Sequence, residues 1–345
     1  QINRDKNNIP SFTDYTFNVD KKNYFYPAST VKMPLAFLAL EKLNDLHING
    51  LNKASTMLTL ESKNANIAPT YFNARACDGR PTIEEYIKEI FLVSDNDAYN
   101  RLYEFLGQET IQKKLNEKGY PDVAIRHRLN EARTAEQNKY TNEIKFIDSI
   151  GNKIYIQQEQ YSNAPMPIYN EFVGNGYYKN DSIIYQPLNF SNKNRIYLSD
   201  LHHMLKSVIF DNVTSKEKKF NLTNDDRTFL LKYMHLDPTK SICPNYDTVN
   251  YWANYCKFLY YGSQKTKPDS NIIIFNKVGD AYGFLTDVAY IIDTNKKIEF
   301  MLSATIYCNE DGILNDDKYD YDTIGFPFLQ KLGQLIYIYE NSRDK

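Results

Sequence analysis

The order of apolar patterns along the chain is the feature that most constrains its fold. Strand-like runs lie near both ends, at Tyr15 to Tyr26 and from Asn271 onward, and helical periods fill most of the interval between them. Since strands pair to bury their apolar faces, we expect the two ends to share one antiparallel sheet. The sequence therefore predicts an α/β fold of the α+β type, with helices flanking the sheet and a mainly helical domain inserted.

The predicted domains follow from this order. Residues 1–45 and 271–345 form the α/β sheet domain, and residues 46–270 form the helical domain. Between about 133 and 195 the helical periods give way to a polar stretch rich in Asn, Gln and Tyr, with a turn signal at Gly151. We interpret this stretch as an extra insertion that contains a hairpin.

Individual helices are predicted from caps, breakers and apolar periodicity. Thr82 caps the first interior helix, and Gly107 ends the second. The remaining predicted helices are 29–42, 109–118, 199–210, 225–235 and 325–339, and the predicted C-terminal strands are 271–277, 283–293 and 297–307.

Composition excludes two classes of partner. The formal net charge is −2, and the basic residues are scattered, so we expect no nucleic-acid partner. The apolar run near the start, Met33 to Leu40, is too short to cross a bilayer, so we expect no integral membrane segment in this chain. We also expect a monomer.

The cysteines and histidines predict no metal site. The four cysteines lack C-x-x-C spacing, and the adjacent His202 and His203 would point in different directions on a helix. Cys243 and Cys256 flank a polar loop, and a bridge between them and two free buried thiols both remain open. We expect neither a metal nor another cofactor.

Ser29 and Lys32 are three residues apart where an apolar helix begins, in "YFYPASTVKMPLAFLAL". Residues at this spacing lie on one helix face with β carbons about 5–6 Å apart. Burial and the positive end of the helix dipole both disfavour the charged form of a lysine, which favours its action as a base. The spacing therefore suits a serine nucleophile with a lysine base. The same motif recurs at Ser215 and Ser342 in polar contexts, so the predicted strand before Ser29 and the buried helix after it are what distinguish it.

Two further pieces are weak when each is taken alone. "VSDNDAYN" places Ser94, Asp95 and Asn96 between two helices, where a plain helix N-cap is the more ordinary explanation. "IIIFNKVGDAYGFLTDVAYIID" places Lys277 and Gly279 on a predicted edge strand, where the glycine would let a substrate approach the backbone.

Taken in order, these three pieces carry a resemblance. Ser-x-x-Lys at a helix start, Ser-Asp-Asn between helices and Lys-Thr-Gly on a strand form the signature of class A β-lactamases and penicillin-binding proteins. The chain resembles this superfamily, and class A in particular, in "FYPASTVK", "VSDNDAYNRL" and "KVGDAYGFLTDVAYI". The resemblance runs nearly end to end and adds the 133–195 insertion.

The resemblance implies a role for each matching residue. Ser29 would attack the substrate carbonyl, Lys32 would take its proton, and Ser94 would relay a proton to the leaving nitrogen. Asn96 would hold Lys32 and the substrate amide, and Lys277 would bind the substrate carboxylate. Val278 and Gly279 are the other implied substrate-binding positions. The backbone amides of Ser29 and Asp280 would form an oxyanion hole, and Asp95 would have a structural role.

Two positions depart from the family pattern. Val278 stands where the family has Thr or Ser, so a hydroxyl that helps to hold the substrate carboxylate is missing. The family's deacylating glutamate falls on Arg126 when "LN" is aligned, and Glu131 and Glu136 lie out of register. We name Glu131 as the candidate for that role, and without such a carboxylate the acyl-enzyme would be long-lived.

The resemblance therefore implies a serine hydrolase that forms an acyl-enzyme on Ser29 and hydrolyses β-lactam or related amide and ester bonds. The alternatives are a slow-deacylating penicillin-binding protein of the carboxypeptidase type, an esterase, and a non-catalytic sensor of β-lactams or peptidoglycan. The expected partner is a small β-lactam or a peptide of the cell wall. By analogy the expected location is periplasmic, secreted or lipid-anchored on the bacterial envelope.

Overall fold

The computed structural model describes residues 1–62, 64–65 and 67–343. Within these ranges it contains six α-helices, which are α1 Lys32–Leu46, α2 Ile83–Val93, α3 Asn96–Glu117, α4 Leu198–Ile209, α5 Asn224–His235 and α6 Phe326–Ser342.

The same ranges contain fifteen strands, most of them short. They are β1 Ile2–Arg4, β2 Pro10–Phe12, β3 Thr56–Thr59, β4 Tyr140–Thr141, β5 Ile144–Ile147, β6 Lys153–Gln157, β7 Gln160–Tyr161, β8 Phe172–Val173, β9 Gly176–Lys179, β10 Ser182–Ile184, β11 Leu188–Asn189, β12 Ile272–Ala281, β13 Phe284–Asp293, β14 Ile298–Tyr307 and β15 Ile313–Leu314.

The chain divides into two compact units. Unit 1 comprises Gln1–Thr30, Ile168–Ser215 and Ala253–Lys345, and unit 2 comprises Val31–Pro167 and Lys216–Trp252. The domain boundaries drawn from the sequence, 1–45 with 271–345 and 46–270, stay a prediction. The stretch interpreted as an insertion contributes residues 133–167 to unit 2 and 168–195 to unit 1.

Unit 1 is built on an antiparallel sheet in the order β12-β13-β14, each strand ten residues long. α4 packs on β13 and β14, and α6 packs on β14. The apolar core of this unit combines residues of the sheet, of α6 and of the segment before β12, including Phe258, Leu259, Ile274, Leu285, Ile291, Phe300 and Leu329. The predicted fold class, α/β with antiparallel sheets and flanking helices, is confirmed.

The predicted N-terminal strands are wrong in position. The described chain from Tyr15 to Tyr26 contains no strand, whereas β1 and β2 lie earlier and pair with each other as a separate antiparallel hairpin. The alternating pattern misled because its apolar side chains are not buried: Tyr15 is 73% and Phe17 is 94% exposed. Alternation predicts a strand only where one face packs on a core.

Unit 2 is built around α1, which contacts α2 and α3. Its apolar residues lie on every side, and most of the helix from Lys32 to Leu43 is buried, as expected for a helix enclosed by others. Pro34 is tolerated because it lies in the first turn, where its missing amide has no intrahelical partner to lose. The predicted hairpin at Gly151 is confirmed by the antiparallel pair β5-β6.

The predicted helix end at Gly107 is confirmed by the backbone angles. Gly107 has a φ of 71° and a ψ of 151°, which are not helical, so the range Asn96–Glu117 labelled α3 comprises two helices that meet at a kink. Beside this kink the ammonium of the half-buried Lys42 donates hydrogen bonds to the Phe105 carbonyl at 2.5 Å and to Gln157 Oε1 at 2.6 Å. A glycine adopts a positive φ at no steric cost, so the breaker signal in the sequence marks the kink between the two helices.

The disulfide pairing is also corrected. Cys77 and Cys243 form a disulfide across a sequence separation of 166, whereas Cys256 and Cys308 are buried thiols. The open choice between a Cys243–Cys256 bridge and free thiols is therefore resolved against the bridge. No local sequence pattern indicates this pairing, because the two cysteines lie far apart along the chain and meet only in the folded unit.

Candidate active site

Ser29 lies in the short 3₁₀ turn Ala28–Val31, which runs directly into α1. The turn is closed by the Thr30 amide and hydroxyl, which both donate to the Pro27 carbonyl, at 3.0 and 2.6 Å. Ala28 has a φ of 45°, a left-handed conformation that is uncommon for a residue with a β carbon. Ser29 is half-buried, and it is the second-last residue of the first chain segment of unit 1. These hydrogen bonds make the turn that precedes the buried helix α1 a tight one.

Gly279 lies directly against this turn within unit 1. A β carbon built at position 279 would be 2.8 Å from both the Pro27 oxygen and the Thr30 nitrogen, and 2.9 Å from the Ser29 nitrogen. All three are backbone atoms, so a larger residue would force strand β12 or the turn to move. Glycine is therefore what allows the strand to approach the Ser29 backbone, and β12 is an edge strand of its sheet, as predicted.

Lys277 lies two residues before Gly279 and therefore on the same face of β12. Its side chain is buried, and its ammonium donates to the Val278 carbonyl at 2.8 Å. Burial lowers the pKa of Lys277 to about 8, while Cys256, Asp280 and Asp287 act against this shift. A lysine with this pKa is mostly cationic at neutral pH.

Val278 and Asp280 are the other two predicted residues of this strand. The Val278 side chain is buried in the core cluster of unit 1, with Ile274 and Leu285. Asp280 is exposed near the end of β12, in register with Leu285. The departure from the family pattern at position 278 thus places an isopropyl group where it packs against apolar neighbours.

Lys32 is the first residue of α1 and is fully buried in unit 2. Its ammonium donates to the Ser94 carbonyl at 2.5 Å and to Asn96 Oδ1 at 2.7 Å, and it lies 3.4 Å from the Ser94 hydroxyl. The structure therefore brings Lys32, Ser94 and Asn96 together, as the sequence predicts. A buried amine held by fixed acceptors has a defined direction from which it can exchange a proton.

The turn that carries Ser94 joins two helices. Ser94 ends α2 with a φ of 59° and a ψ of 40°, a left-handed conformation that costs a non-glycine residue roughly 1–2 kcal/mol. Asp95 is the N-cap of α3, because its Oδ1 accepts a hydrogen bond from the Ala98 amide at 2.8 Å. Capping and presentation of the polar side chains thus coexist in one turn: Asp95 caps, while Ser94 and Asn96 face Lys32.

Glu131 connects to the same helix through Asn100. The Asn100 amide nitrogen donates to Glu131 Oε1 and to the Leu129 carbonyl, both at 3.0 Å, and Asn100 is one helical turn beyond Asn96. The second oxygen of Glu131 forms an ion pair with Arg133. Glu131 therefore lies near the helix face that carries Asn96, and both of its oxygens have partners.

The two other positions considered for the deacylating carboxylate are engaged elsewhere in unit 2. Arg126 donates to the Pro167 carbonyl. Glu136 is exposed, forms an ion pair with Lys139 at 2.8 Å and accepts a hydrogen bond from Tyr161 at 2.9 Å. Neither arrangement contains a buried carboxylate.

Sequence reasoning missed Asn100, Arg75 and Asp287. A signal for Asn100 existed, because it follows Asn96 by four residues and so lies on the same helix face. Arg75 forms an ion pair with Asp95 across twenty positions, and no local pattern marks it.

Asp287 is fully buried on β13. Its oxygens accept hydrogen bonds from the Asn276 amide at 2.8 Å and from the Leu259 backbone at 2.9 Å, and burial raises its pKa to about 6. The Lys257 ammonium donates in turn to Asn276 Oδ1 at 2.6 Å. This buried polar network fixes the segment before β12 to the two strands that carry the Lys277 region.

The predicted site residues therefore form two groups. In unit 1, Ser29 lies against Gly279, on the strand that carries Lys277, Val278 and Asp280. In unit 2, Lys32 is held by Ser94 and Asn96, with Glu131 attached to the same helix. The chain passes from one group to the other through the continuous helical segment that contains Ser29 and Lys32.

In the part of the chain that is described, three or more His, Cys, Asp or Glu residues nowhere form a group that could hold a metal ion. Within the same ranges, every helix is too short or too polar to span a membrane.

Comparisons with known proteins identify relatives of the fold. Solved structures with a similar fold include the β-lactamase of Streptomyces albus G, with a TM-score of 0.51 and 12% identity over 95% of this chain and 90% of that one. An ancestral class A β-lactamase has a TM-score of 0.50 and 12% identity, with 91% and 85% of the two chains covered. PBP-A has a TM-score of 0.50 and 14% identity, with 91% and 81% covered. At these identities the likeness is one of fold. A comparison with curated proteins finds no match.

The sequence itself matches the profile of the β-lactamase enzyme family over residues 11–339, which is nearly the whole chain. The chain belongs to the β-lactamase enzyme family and has the fold of the class A enzymes.

Proposed function

We propose that the protein is a serine hydrolase that reacts with β-lactams, and with related amides or esters, through an acyl-enzyme on Ser29. The observation that carries the proposal is the position of the Lys32 amine. It is buried, it is held by Ser94 and Asn96, and it lies three residues after Ser29 in one continuous helical segment. A structural lysine has no need of a serine one helical turn before it.

In the proposed reaction Ser29 Oγ attacks the carbonyl carbon, and Lys32 accepts the hydroxyl proton. Electron density moves to the carbonyl oxygen, where the backbone amides of Ser29 and Asp280 would stabilise the negative charge, typically by about 3 kcal/mol per donor. The carbon–nitrogen bond then breaks, and Ser94 passes a proton to the departing nitrogen. Lys277 binds the substrate carboxylate, and attack by water on the ester returns Ser29 to its free state.

The test is intact-mass spectrometry after mixing with a chromogenic cephalosporin. We expect a mass increase on Ser29, and absence of that increase in Ser29→Ala. Steady release of coloured product supports hydrolysis of the β-lactam. If neither adduct nor turnover occurs with several β-lactams and thioesters, the proposed reaction is wrong.

A slow-deacylating protein of the penicillin-binding type is the second candidate, and one observation favours it. Both oxygens of Glu131 are engaged, one by Asn100 and the other by Arg133, rather than presented to a water. Without a carboxylate that activates water, the acyl-enzyme persists. In the mass experiment this candidate gives a stable adduct with at most one product per enzyme, and Glu131→Gln leaves the adduct's lifetime unchanged. If Glu131 does activate water, the same substitution lengthens that lifetime.

For location, we propose an extracytoplasmic site on the bacterial envelope, whether periplasmic, secreted or lipid-anchored. The Cys77–Cys243 disulfide supports this, because disulfides persist mainly in oxidising compartments. The proposed partners are a small β-lactam or a cell-wall peptide, and the proposed state is a monomer. Size-exclusion chromatography with light scattering tests the oligomeric state.

A further inference from the structure

A group of charged side chains adjoins the turn Ser94–Asn96 within unit 2. The Arg75 guanidinium forms an ion pair with Asp95, and the same nitrogen lies 3.6 Å from Glu89 Oε2. Asp95 uses one oxygen for Arg75 and the other for the Ala98 amide at the start of α3. Arg75 therefore acts on the residue that joins Ser94 to Asn96.

Hydrogen bonds fix the backbone of the loop that carries Arg75. The Asn73 side chain accepts a hydrogen bond from the Arg75 amide at 3.0 Å and donates to Glu89 Oε1 at 2.7 Å. The Asn73 amide donates to the Gly79 carbonyl at 2.9 Å, which closes the loop 73–79. Glu89 is buried on α2, and its own carbonyl accepts from the Asp95 amide at 3.2 Å. The loop and the turn are thus tied to the same residue of α2.

The disulfide anchors this same loop. Cys77 lies two residues beyond Arg75, and its partner Cys243 comes from a distant segment of unit 2. The Cys77 amide also contacts the Cys243 sulfur at 3.0 Å. Tyr246, three residues after Cys243, is buried, and its electrostatic neighbours are Glu89, Arg75 and Asp95. The disulfide therefore joins the loop that carries Arg75 to the segment that carries Tyr246.

We propose that Arg75 is a positioning residue for Ser94 and Asn96, and that the Cys77–Cys243 disulfide keeps Arg75 in place for this task. Ser94 holds a left-handed conformation that surrounding contacts must maintain. Arg75 supplies such a contact through Asp95. The proposal rests on the proposed function, because that function gives Ser94 and Asn96 their roles in acylation.

The first arm of the test compares Arg75→Ala with Arg80→Ala. Arg80 is the matched control: it lies next to the same loop, forms an exposed ion pair with Asp78 and has a similar exposure, 41% against 43% for Arg75. With a fluorescent penicillin we expect Arg75→Ala to lower the maximal rate of Ser29 acylation about tenfold, because small displacements of reacting groups are costly. The concentration for half-maximal rate should change little, Arg80→Ala should match the wild type, and Arg75→Lys should recover part of the rate.

The second arm removes the disulfide with the double substitution Cys77→Ser and Cys243→Ser, in the wild type and in Arg75→Ala. If the disulfide acts through Arg75, its loss slows acylation in the wild type but adds nothing in Arg75→Ala. If the two losses multiply, the disulfide acts by another route and this half of the proposal is overturned. All rates are measured well below the unfolding temperature of each variant.

The third arm separates this proposal from the proposed function. Hydrogen exchange at the first amides of α3 needs no substrate, and we expect faster exchange in Arg75→Ala than in Arg80→Ala. If the wild type is never acylated, the proposed function fails while this arm still decides whether Arg75 orders the turn. If the wild type is acylated but the two arginine variants acylate and exchange alike, Arg75 is not a positioning residue.

Discussion

The backbone nitrogen of Ser29 lies within 2.9 Å of the place where a β carbon on Gly279 would stand. Two segments separated by most of the chain, a turn near the start and a strand near the end, therefore meet at van der Waals contact in unit 1. Because the obstructing atoms all belong to the backbone, the contact cannot be relieved by rotating a side chain.

This contact predicts that Gly279→Ala impairs acylation more than it impairs folding. The added methyl must displace the Ser29 turn or strand β12, and overpacking of this kind costs about 1–3 kcal/mol. Gly176→Ala in β9 is the matched control, since its β carbon would also meet a backbone oxygen, Ile184 O, at 3.0 Å. We expect comparable losses of unfolding free energy and a slower acylation only for Gly279→Ala. Equal acylation rates in the two variants would contradict a role for the close approach.

Removal of the Lys32 amine should abolish acylation without abolishing the fold. Lys32→Ala removes the proposed base, a loss of roughly 100- to 10,000-fold for a general base. Lys42→Ala is the control, because it removes another lysine of α1 whose ammonium also donates to a backbone carbonyl and to a side-chain amide oxygen. Both variants should keep a wild-type circular dichroism spectrum, and labelling of Ser29 should be lost only with Lys32→Ala. Undiminished labelling of that variant would remove Lys32 from the mechanism.

The pH dependence of acylation should report on Lys277. Its pKa is lowered to about 8 by burial, so the cationic form is complete below that pH and is lost as the pH rises through it. The second-order rate constant for acylation by a carboxylate-bearing β-lactam should therefore fall above about pH 8. Lys277→Arg keeps its charge to far higher pH and should remove that decline. A decline that persists unchanged in Lys277→Arg would assign it to another group.

Stability should respond to the charge on Glu89. Burial raises its pKa from 4.5 to about 7, so in the folded protein the carboxyl retains a proton that the unfolded chain has already released. The wild type therefore loses stability as the pH rises from about 4.5 to 7, and this loss is complete above pH 7. Glu89→Gln can still accept the hydrogen bond from Asn73. Its free energy of unfolding, relative to that of the wild type, should rise by up to about 3 kcal/mol between pH 4.5 and 7. Urea unfolding at several pH values measures the difference, and a difference independent of pH would show that Glu89 is charged throughout.

Patterns confined to one segment were predictable from the sequence. Thr82 caps α2 by accepting the Glu85 amide at 3.0 Å, and Thr223 caps α5, because each cap depends only on the next three residues. The convergence of Lys32 with Ser94 and Asn96 was also reached, although only because their motifs occur in a recognisable order.

Features that depend on distant contacts were not predictable in the same way. The Cys77–Cys243 pairing and the Arg75–Asp95 ion pair join residues whose local sequence carries no sign of the partner. The strands wrongly predicted at Tyr15 to Tyr26 also depend on distant contacts. Their alternation is real, but whether it meets a core is decided by the rest of unit 1.

The division of the chain also bears on the order in which it can fold during synthesis. Unit 2 has all of its segments once Trp252 has been synthesised, whereas residues 1–30 of unit 1 have no sheet to join before β12 to β14 have been made. Ser29 therefore reaches its final surroundings only after strand β12, which follows it by most of the chain, has been synthesised.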